Sequence, residues 1–314
     1  MMFLMVLCAW IGTMAQTKQL FDNGWQFTHD GKTTTVDLPH DWDIFTVSDP
    51  ETGATGTGGG WYHAGKGEYK KSFKTPDAEI VKLHFEGVYQ KAEVFVNGQK
   101  AGQHGYGYTP FTIDITSFLN KGKKQTNEVV VKVNNSEQPN CRWYSGSGIY
   151  RHVWLETMPA LHIAENGIFV TTPEVTADKA TVNVEVTVEN ESDRERAATV
   201  VIHGTQLKTS LSELLPVKVP AHGTKSVKAT FTVQDPELWS IDNPRLYEAA
   251  VELKEMMKDE NIDRQTAKYG IRSFSFDAEK GFVLNGQPVL INGACVHHDD
   301  GILGSMAFDA AEIR

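Results

Sequence analysis

Nine consecutive residues, Ala180 to Val188, alternate between apolar and polar side chains without a break. With a side-chain period of two, Ala180, Val182, Val184, Val186 and Val188 fall on one face of a strand. Thr181, Asn183, Glu185 and Thr187 fall on the other. Such a strand lays one face on a core and leaves the other to water, as antiparallel sheets do. The alternation returns over residues 227–233 and 247–253, with Ala221-His222-Gly223 and Asp242-Asn243-Pro244 supplying turn chemistry between strands. Residues 159–267 are therefore predicted to form one immunoglobulin-like β-sandwich, a spacer domain.

Upstream, residues 17–157 show short alternating or apolar runs bounded by Gly, Pro and Asn, with no helical stripe. Ala92-Glu93-Val94-Phe95-Val96 leads into Asn97-Gly98, a hairpin signal because both central residues tolerate positive φ. Residues 128–133 and 151–156 read as further strands. A β-sandwich with jelly-roll character is the natural closure. Gly58-Gly59-Gly60 is followed by no Gly-Lys-Ser/Thr and opens no helix, so it is expected to be a flexible loop rather than a phosphate cradle.

Downstream, residues 268–314 carry Tyr269-Gly270-Ile271-Arg272 and a second hairpin signal at Asn285-Gly286. Val289-Leu290-Ile291-Asn292-Gly293-Ala294-Cys295-Val296 follows, apolar on both faces as a strand covered on both sides would be. After His297-His298-Asp299-Asp300-Gly301, the run from Phe308 through Glu312 to Arg314 opens a helix. One strand, loop and helix make a single β/α unit, which cannot bury its strand alone. The expected fold is mainly β: jelly roll, immunoglobulin-like sandwich, then the first strand and helix start of a truncated (β/α)8 barrel.

Charge and composition remove several function classes. Lys and Arg number 30 against 40 Asp and Glu, a net charge of −10, with no basic cluster beyond the run from Lys121 to Lys124. Nucleic acid is thus not an expected partner. Cys8, Cys141 and Cys295 are spaced too widely for a zinc site or a disulfide framework. Residues 1–15 are uncharged and largely apolar and end in Thr13-Met14-Ala15, as an export signal cut near Ala15 would. The alternative for the same residues is a short buried amino-terminal segment. No later stretch reaches the ~18 apolar residues a spanning helix requires, so a periplasmic or extracellular protein without a membrane span is expected.

Four stretches together resemble the glycoside hydrolases of family 2, the β-galactosidase and β-glucuronidase family. They are Leu38-Pro39-His40-Asp41-Trp42; Gly60-Trp61-Tyr62 with Tyr69-Lys70-Lys71-Ser72-Phe73; Phe85-Glu86-Gly87-Val88 with Val94-Phe95-Val96-Asn97-Gly98; and Arg142-Trp143-Tyr144-Ser145-Gly146-Ser147-Gly148-Ile149-Tyr150-Arg151. The resemblance implies a sugar-binding jelly roll, an immunoglobulin-like sandwich and a catalytic barrel. Retaining members need two carboxylates about 5–5.5 Å apart across the glycosidic bond. The resemblance places both glutamates on later barrel strands, beyond the end of this chain, so no residue here is assigned as acid/base or nucleophile and the chain alone is expected to be inactive. Glu312 is expected to be a solvated helix residue.

What the resemblance does place here is part of a sugar pocket. His297 occupies the end of the first barrel strand, where an imidazole can hydrogen-bond a sugar hydroxyl, and His298 and Asp299 follow in the same turn. Arg142 and Trp143 lie in a loop that in family members runs from the jelly roll towards the pocket, offering a guanidinium and an indole to the sugar. The bland alternatives are a strand cap at His297 and His298, and a packing loop with Arg142 paired to a local acid. His40, Asp41 and Trp42 are expected to be structural, an interdomain wedge. The turn from His297 to Gly304 looks more like galactosidases than glucuronidases. The implied activity is hydrolysis of terminal β-galactosides in oligo- or polysaccharides. A β-glucuronidase, or a non-catalytic carbohydrate-binding module displaying Trp61, Tyr62, Trp143 and Tyr144, is the alternative. Some similar galactosidases form homo-oligomers or use Mg2+ or Na+, but ligands for such ions are not identifiable in this sequence, and the His297 turn lacks metal-cage spacing.

Overall fold

The computed structural model describes residues 16–122, 124–205, 211–256, 260–297 and 299–313. The expected export signal, Cys8, Lys123 of the basic run, and His298 lie outside them. By contact the chain divides into two units, residues 17–157 with 294–313, and residue 16 with 158–293.

The first unit is built on β1 (Thr17–Leu20), β2 (Trp25–His29), β3 (Lys32–Val36), β4 (Gly65–Lys74), β5 (Ile80–Phe85), β6 (Ala92–Val96), β7 (Gln99–His104), β8 (Phe111–Asp114), β9 (Thr126–Asn135) and β10 (Val153–Met158). They form a four-stranded sheet in the order β1-β10-β5-β8 and a six-stranded sheet in the order β3-β2-β4-β9-β6-β7. Alternate residues fill the space between: Ala92, Val94 and Val96 of β6 and Val129, Val131 and Val133 of β9 are buried with Trp25, Leu83 and Phe85. This is the expected jelly roll, and Asn97 (φ 49°) and Gly98 (φ 80°) close the β6–β7 hairpin. Trp42 is buried in the same core, its ring stacked 5.4 Å from Phe27. It is a core residue of the sandwich rather than the interdomain wedge that its Pro-preceded turn suggests.

The Gly58-Gly59-Gly60 run is packed, which corrects the expectation of a loose loop. A Cβ on Gly58 would lie 2.9 Å from the Arg142 carbonyl, and one on Gly59 2.5 Å from Thr55 Cβ. Gly58 leaves room for the Arg142 backbone, and Gly59 for the Thr55 side chain, where a larger residue would collide.

The second unit contains β11 (Leu161–Val175), β12 (Lys179–Asn190), β13 (Arg196–Thr205), β14 (Leu211–Val219), β15 (Gly223–Gln234), β16 (Tyr247–Glu255) and β17 (Asn261–Tyr269). The order is β11-β12-β15 in one sheet and β14-β13-β16-β17 in the other, an immunoglobulin-like sandwich. The five alternating residues of β12 are all buried in its core beside Val200, Ile202, Val251 and Leu253. Buried Asp263 of β17 binds across the sandwich, its Oδ2 accepting from the Ile163 N–H at 2.9 Å. The core also takes in Ile271, so it runs past residue 268, where the sequence suggests the third region begins.

A small meander follows, β18 (Phe274–Asp277), β19 (Gly281–Leu284) and β20 (Gln287–Pro288), with Asn285 (φ 49°) and Gly286 (φ 79°) at the predicted hairpin. Residues 290–297 then form no strand. Leu290, Ile291 and Val296 are exposed. A strand apolar on both faces needs neighbours on both edges and layers above and below, and no described residues supply them. A turn at Gly301–Leu303 leads to the helix start, α1 (Asp309–Glu312). Among the described residues no helix is long and apolar enough to cross a membrane.

Leu253, with no exposed surface, and Leu214, 67% exposed, give a direct test of this core. Leu253→Ala should cost about 2–5 kcal/mol, read as a lower urea midpoint, whereas Leu214→Ala should stay within about 0.5 kcal/mol. Equal effects would contradict the assigned faces.

Candidate functional site

The site grows from one buried carboxylate. Asp41 has no exposed surface, and an ionised group so placed needs hydrogen bonds on both oxygens. Its Oδ1 accepts from the backbone N–H groups of Asp43 (3.1 Å) and Ser147 (2.9 Å). Its Oδ2 accepts from the Tyr144 hydroxyl (2.5 Å) and from the N–H and hydroxyl of Ser305, each at 3.0 Å. Three distant pieces of sequence thus meet on one side chain. Two glycines make the approach feasible: a Cβ on Gly146 would lie 2.0 Å from Ser305 Oγ, and one on Gly304 2.5 Å from Asp41 Oδ2. Both adopt positive φ, 66° and 59°.

Asp43, beside it, is less well served. Its Oδ2 accepts from the Ser147 hydroxyl at 2.7 Å, but the buried Oδ1 has no hydrogen-bond partner. Burial, reinforced by the neighbouring Asp41 charge, pushes the Asp43 carboxyl up to about 7. His40, whose Nδ1 lies 2.8 Å from Tyr69 Oη, is pulled down to about 4, again chiefly by burial. Burial and then the Asp41 charge raise the Tyr144 phenol.

The loop that carries Tyr144 also carries Trp143, which belongs to an exposed aromatic face. The Trp143 Nε1–H donates to Tyr108 Oη at 3.0 Å, and the indole meets the His297 ring edge-on, centroids 6.1 Å apart at 78°. Tyr108 packs on Tyr89 (5.1 Å) and Tyr106 (5.7 Å), and the Tyr89 hydroxyl donates to Asn140 Oδ1 at 3.1 Å. Asn135, buried at the end of β9, holds the loop: its Oδ1 accepts from Asn140 Nδ2 (2.8 Å) and Gln138 Nε2 (2.9 Å), and its Nδ2 donates to Ser147 Oγ (2.7 Å).

Of the sequence-predicted residues, the structure therefore brings Trp143 and His297 together. Arg142 is exposed beside Trp143, and its guanidinium makes no hydrogen bond or ion pair with described residues, so no local acid holds it. Asp299 is exposed, and no hydrogen bond or ion pair among the described residues ties it to the pair. His298 lies outside the description. Trp61 and Tyr62 are only half-buried, and Tyr62 packs on Tyr144 rather than standing free. Tyr89, Tyr106, Tyr108 and Asn140 carry no motif in the sequence that marks them for this face. The available signal was Gly105-Tyr106-Gly107-Tyr108, in which a Cβ on Gly107 would strike the Tyr89 ring at 2.2 Å.

An exposed indole, an imidazole and phenols with a guanidinium alongside suit a polyol with one apolar face, since rings cover C–H groups while the polar tips bond hydroxyls. The Asp41–Asp43 pair cannot serve as a glycosidase carboxylate pair, because both side chains are closed from solvent and already engaged.

Comparison with known proteins agrees with this architecture. The model of the glycosyl hydrolases family 2 sugar binding domain matches residues 9–159, and that of glycosyl hydrolases family 2 matches residues 161–272. The chain belongs to glycoside hydrolase family 2. It is 40% identical over 307 residues to Beta-galactosidase BoGH2A of Bacteroides ovatus, covering 94% of this chain and 34% of that one. It is 31% identical to a putative beta-glucuronidase of Formosa agariphila, covering 96% and 30%. A solved family 2 member from Bacteroides cellulosilyticus superposes with a TM-score of 0.82 at 36% identity, covering 94% of this chain and 40% of that one. The chain thus spans about a third of the length of these curated relatives.

The opposed shifts of Asp43 and His40 give a pH test. Asp43, raised in the folded state, favours folding below about pH 4 and loses that contribution as pH rises to about 7. His40, depressed, contributes above about pH 6.5 and loses it as pH falls towards 4. The two nearly cancel between those limits. Asp43→Asn removes one, so the variant should gain stability relative to the unsubstituted chain from pH 4 to 7, by up to a few kcal/mol at about 1.4 kcal/mol per pKa unit. Urea unfolding across that range measures it, and a flat difference would refute the burial of this charge.

Proposed function

We propose that this chain is the amino-terminal, substrate-binding part of an exported retaining exo-glycosidase that removes terminal β-galactosyl residues from oligo- or polysaccharides. The observation that carries the proposal is the Trp143–His297 contact on an exposed polar-aromatic face, in a chain of family 2. Trp143 and Tyr108 cover a sugar face, and His297 addresses a hydroxyl. The acid/base and nucleophile come from a catalytic barrel beyond residue 314. Exposed Phe274 and Phe276 of β18 and exposed Leu290, Ile291 and Val296 support a further packed layer, since isolated domains rarely display so much apolar surface along one segment. The relative at 40% identity carries the name beta-galactosidase, which favours galactosides.

A β-glucuronidase of the same family is the second reading, favoured by the Arg142 guanidinium, which is suited to a bidentate pair with a uronate carboxylate. The two separate with the enzyme expressed from the complete gene, assayed on p-nitrophenyl β-D-galactoside and β-D-glucuronide. A galactosidase should show at least a tenfold higher kcat/KM on the galactoside and little response to Arg142→Ala. Preference for the glucuronide, lost selectively in Arg142→Ala, would replace the first reading with the second. Trp143→Ala should raise KM for the preferred substrate about tenfold, the equivalent of roughly 1.4 kcal/mol. The 314-residue chain alone should turn over neither substrate; robust hydrolysis by it would defeat both readings.

Export has its own test. The protein recovered from outside the cytoplasm should begin at Gln16, and a retained Met1 on that material would argue against cleavage at Ala15.

A further inference from the structure

Away from the sugar face, in the immunoglobulin-like sandwich, His162 of β11 meets two glutamates. We propose that His162, Glu189 and Glu191 form a divalent transition-metal site, taking Zn2+, that clasps the start of β11 to the end of β12.

The ladder builds the cluster. His162 pairs directly with Glu189, and the Glu191 N–H donates to the Ala160 carbonyl at 2.8 Å, continuing the same register. The strand period of two then puts Glu189 and Glu191 on the face that His162 occupies. The ligand atoms of the three residues all lie within 4.8 Å of one another.

His162 is 1% exposed, and its ring is set for ligation. Nδ1 lies 2.9 Å from the Pro159 carbonyl oxygen, which only accepts, so Nδ1 carries the proton. With Nδ1 engaged in this way, Nε2 is the ring atom that faces the carboxylates and the one a metal ion would take. A backbone carbonyl on the far nitrogen is the usual support of a metal-binding histidine.

Nε2 stands 3.5 Å from Glu189 Oε2 and 3.8 Å from Glu191 Oε1. Both separations exceed the ~2.7–3.2 Å of an N–H···O hydrogen bond. Donors about 2.0–2.2 Å from a tetrahedral ion lie roughly 3.3–3.6 Å apart, close to what is seen. The first separation falls within that range and the second just beyond it, so small shifts of the two carboxylates would bring all three donors onto one ion.

The supports are rigid. Asn190, between the two glutamates and facing inward, donates to the carbonyls of Arg194 (2.8 Å), Val219 (3.1 Å) and Pro220 (3.0 Å) and accepts from Ser192 Oγ at 2.6 Å. Asp263 pins the next residue of β11, Ile163, from the opposite sheet. One imidazole and two carboxylates select a metal such as Zn2+ over Ca2+ or Mg2+, which prefer more numerous oxygen ligands. The paired charges of Glu189 and Glu191 balance the ion.

The test uses the whole 314-residue chain, stripped with chelator and titrated with ZnCl2 by calorimetry, with Co2+ absorption as a second readout. One equivalent should bind, raise the melting temperature and, as Co2+, show visible bands of a four-coordinate site. Glu189→Gln and Glu191→Gln should each weaken binding at least tenfold while leaving the circular dichroism spectrum unchanged. His222→Ala, removing the exposed His222–Asp193 pair, should leave the stoichiometry intact. Absence of saturable binding, or binding that survives the double Glu189→Gln/Glu191→Gln substitution, would overturn the proposal and leave the cluster a water-bridged polar contact.

Discussion

A carboxylate shut away from water must find its whole solvation shell within the chain, and at Asp41 that requirement positions the functional face. Its donors come from the turn after β3, from the loop carrying Tyr144 and Ser147, and from Ser305. Trp143 precedes Tyr144 in the chain, and His297 lies just upstream of Ser305. The shared acceptor therefore ties the segment that follows Trp143 to the turn that carries Ser305. Losing one donor would leave a buried charge short of a bond, a cost of about 1–3 kcal/mol, which gives the arrangement its stiffness. Asp43 shows the contrasting case: burial and the neighbouring Asp41 charge push its carboxyl up to about 7, and its Oδ1 has no hydrogen-bond partner.

The sandwiches were legible because a period of two is a strong constraint where one face is buried. The alternation of β12 and both Asn-Gly turns appear in the structure as read. The run from Val289 to Val296 shows where such legibility ends. Its pattern describes the surroundings a strand would need, and a pattern cannot supply the neighbours. Gly58 to Gly60 failed for a related reason: composition reports conformational freedom, whereas Arg142 and Thr55 lie too close to these glycines for any larger residue.

The site was less legible than the fold. Trp143 and His297 are far apart in sequence, and only family likeness suggested that they share a pocket. Tyr89 and Tyr108 gave no periodic signal, since both lie outside the strands, Tyr89 in an isolated bridge to Gly148 and Tyr108 on a turn. His162, Glu189 and Glu191 are ordinary polar residues until the β11–β12 register sets them side by side. In each case the information lies in contacts between segments distant in sequence, which a linear pattern does not encode.

The placement of charge also divides the labour of the proposed enzyme. The exposed face offers rings, hydroxyls and a guanidinium, groups that hold a sugar but cannot protonate a glycosidic oxygen and attack its anomeric carbon from the other side. The buried aspartates Asp41 and Asp43 are sealed from solvent, and Asp41 is committed to holding loops. A retaining mechanism needs two accessible carboxylates about 5–5.5 Å apart. Asp41 and Asp43 do not meet that condition, so their part in the proposed reading is to hold the loops beside Trp143 rather than to act on a glycosidic bond.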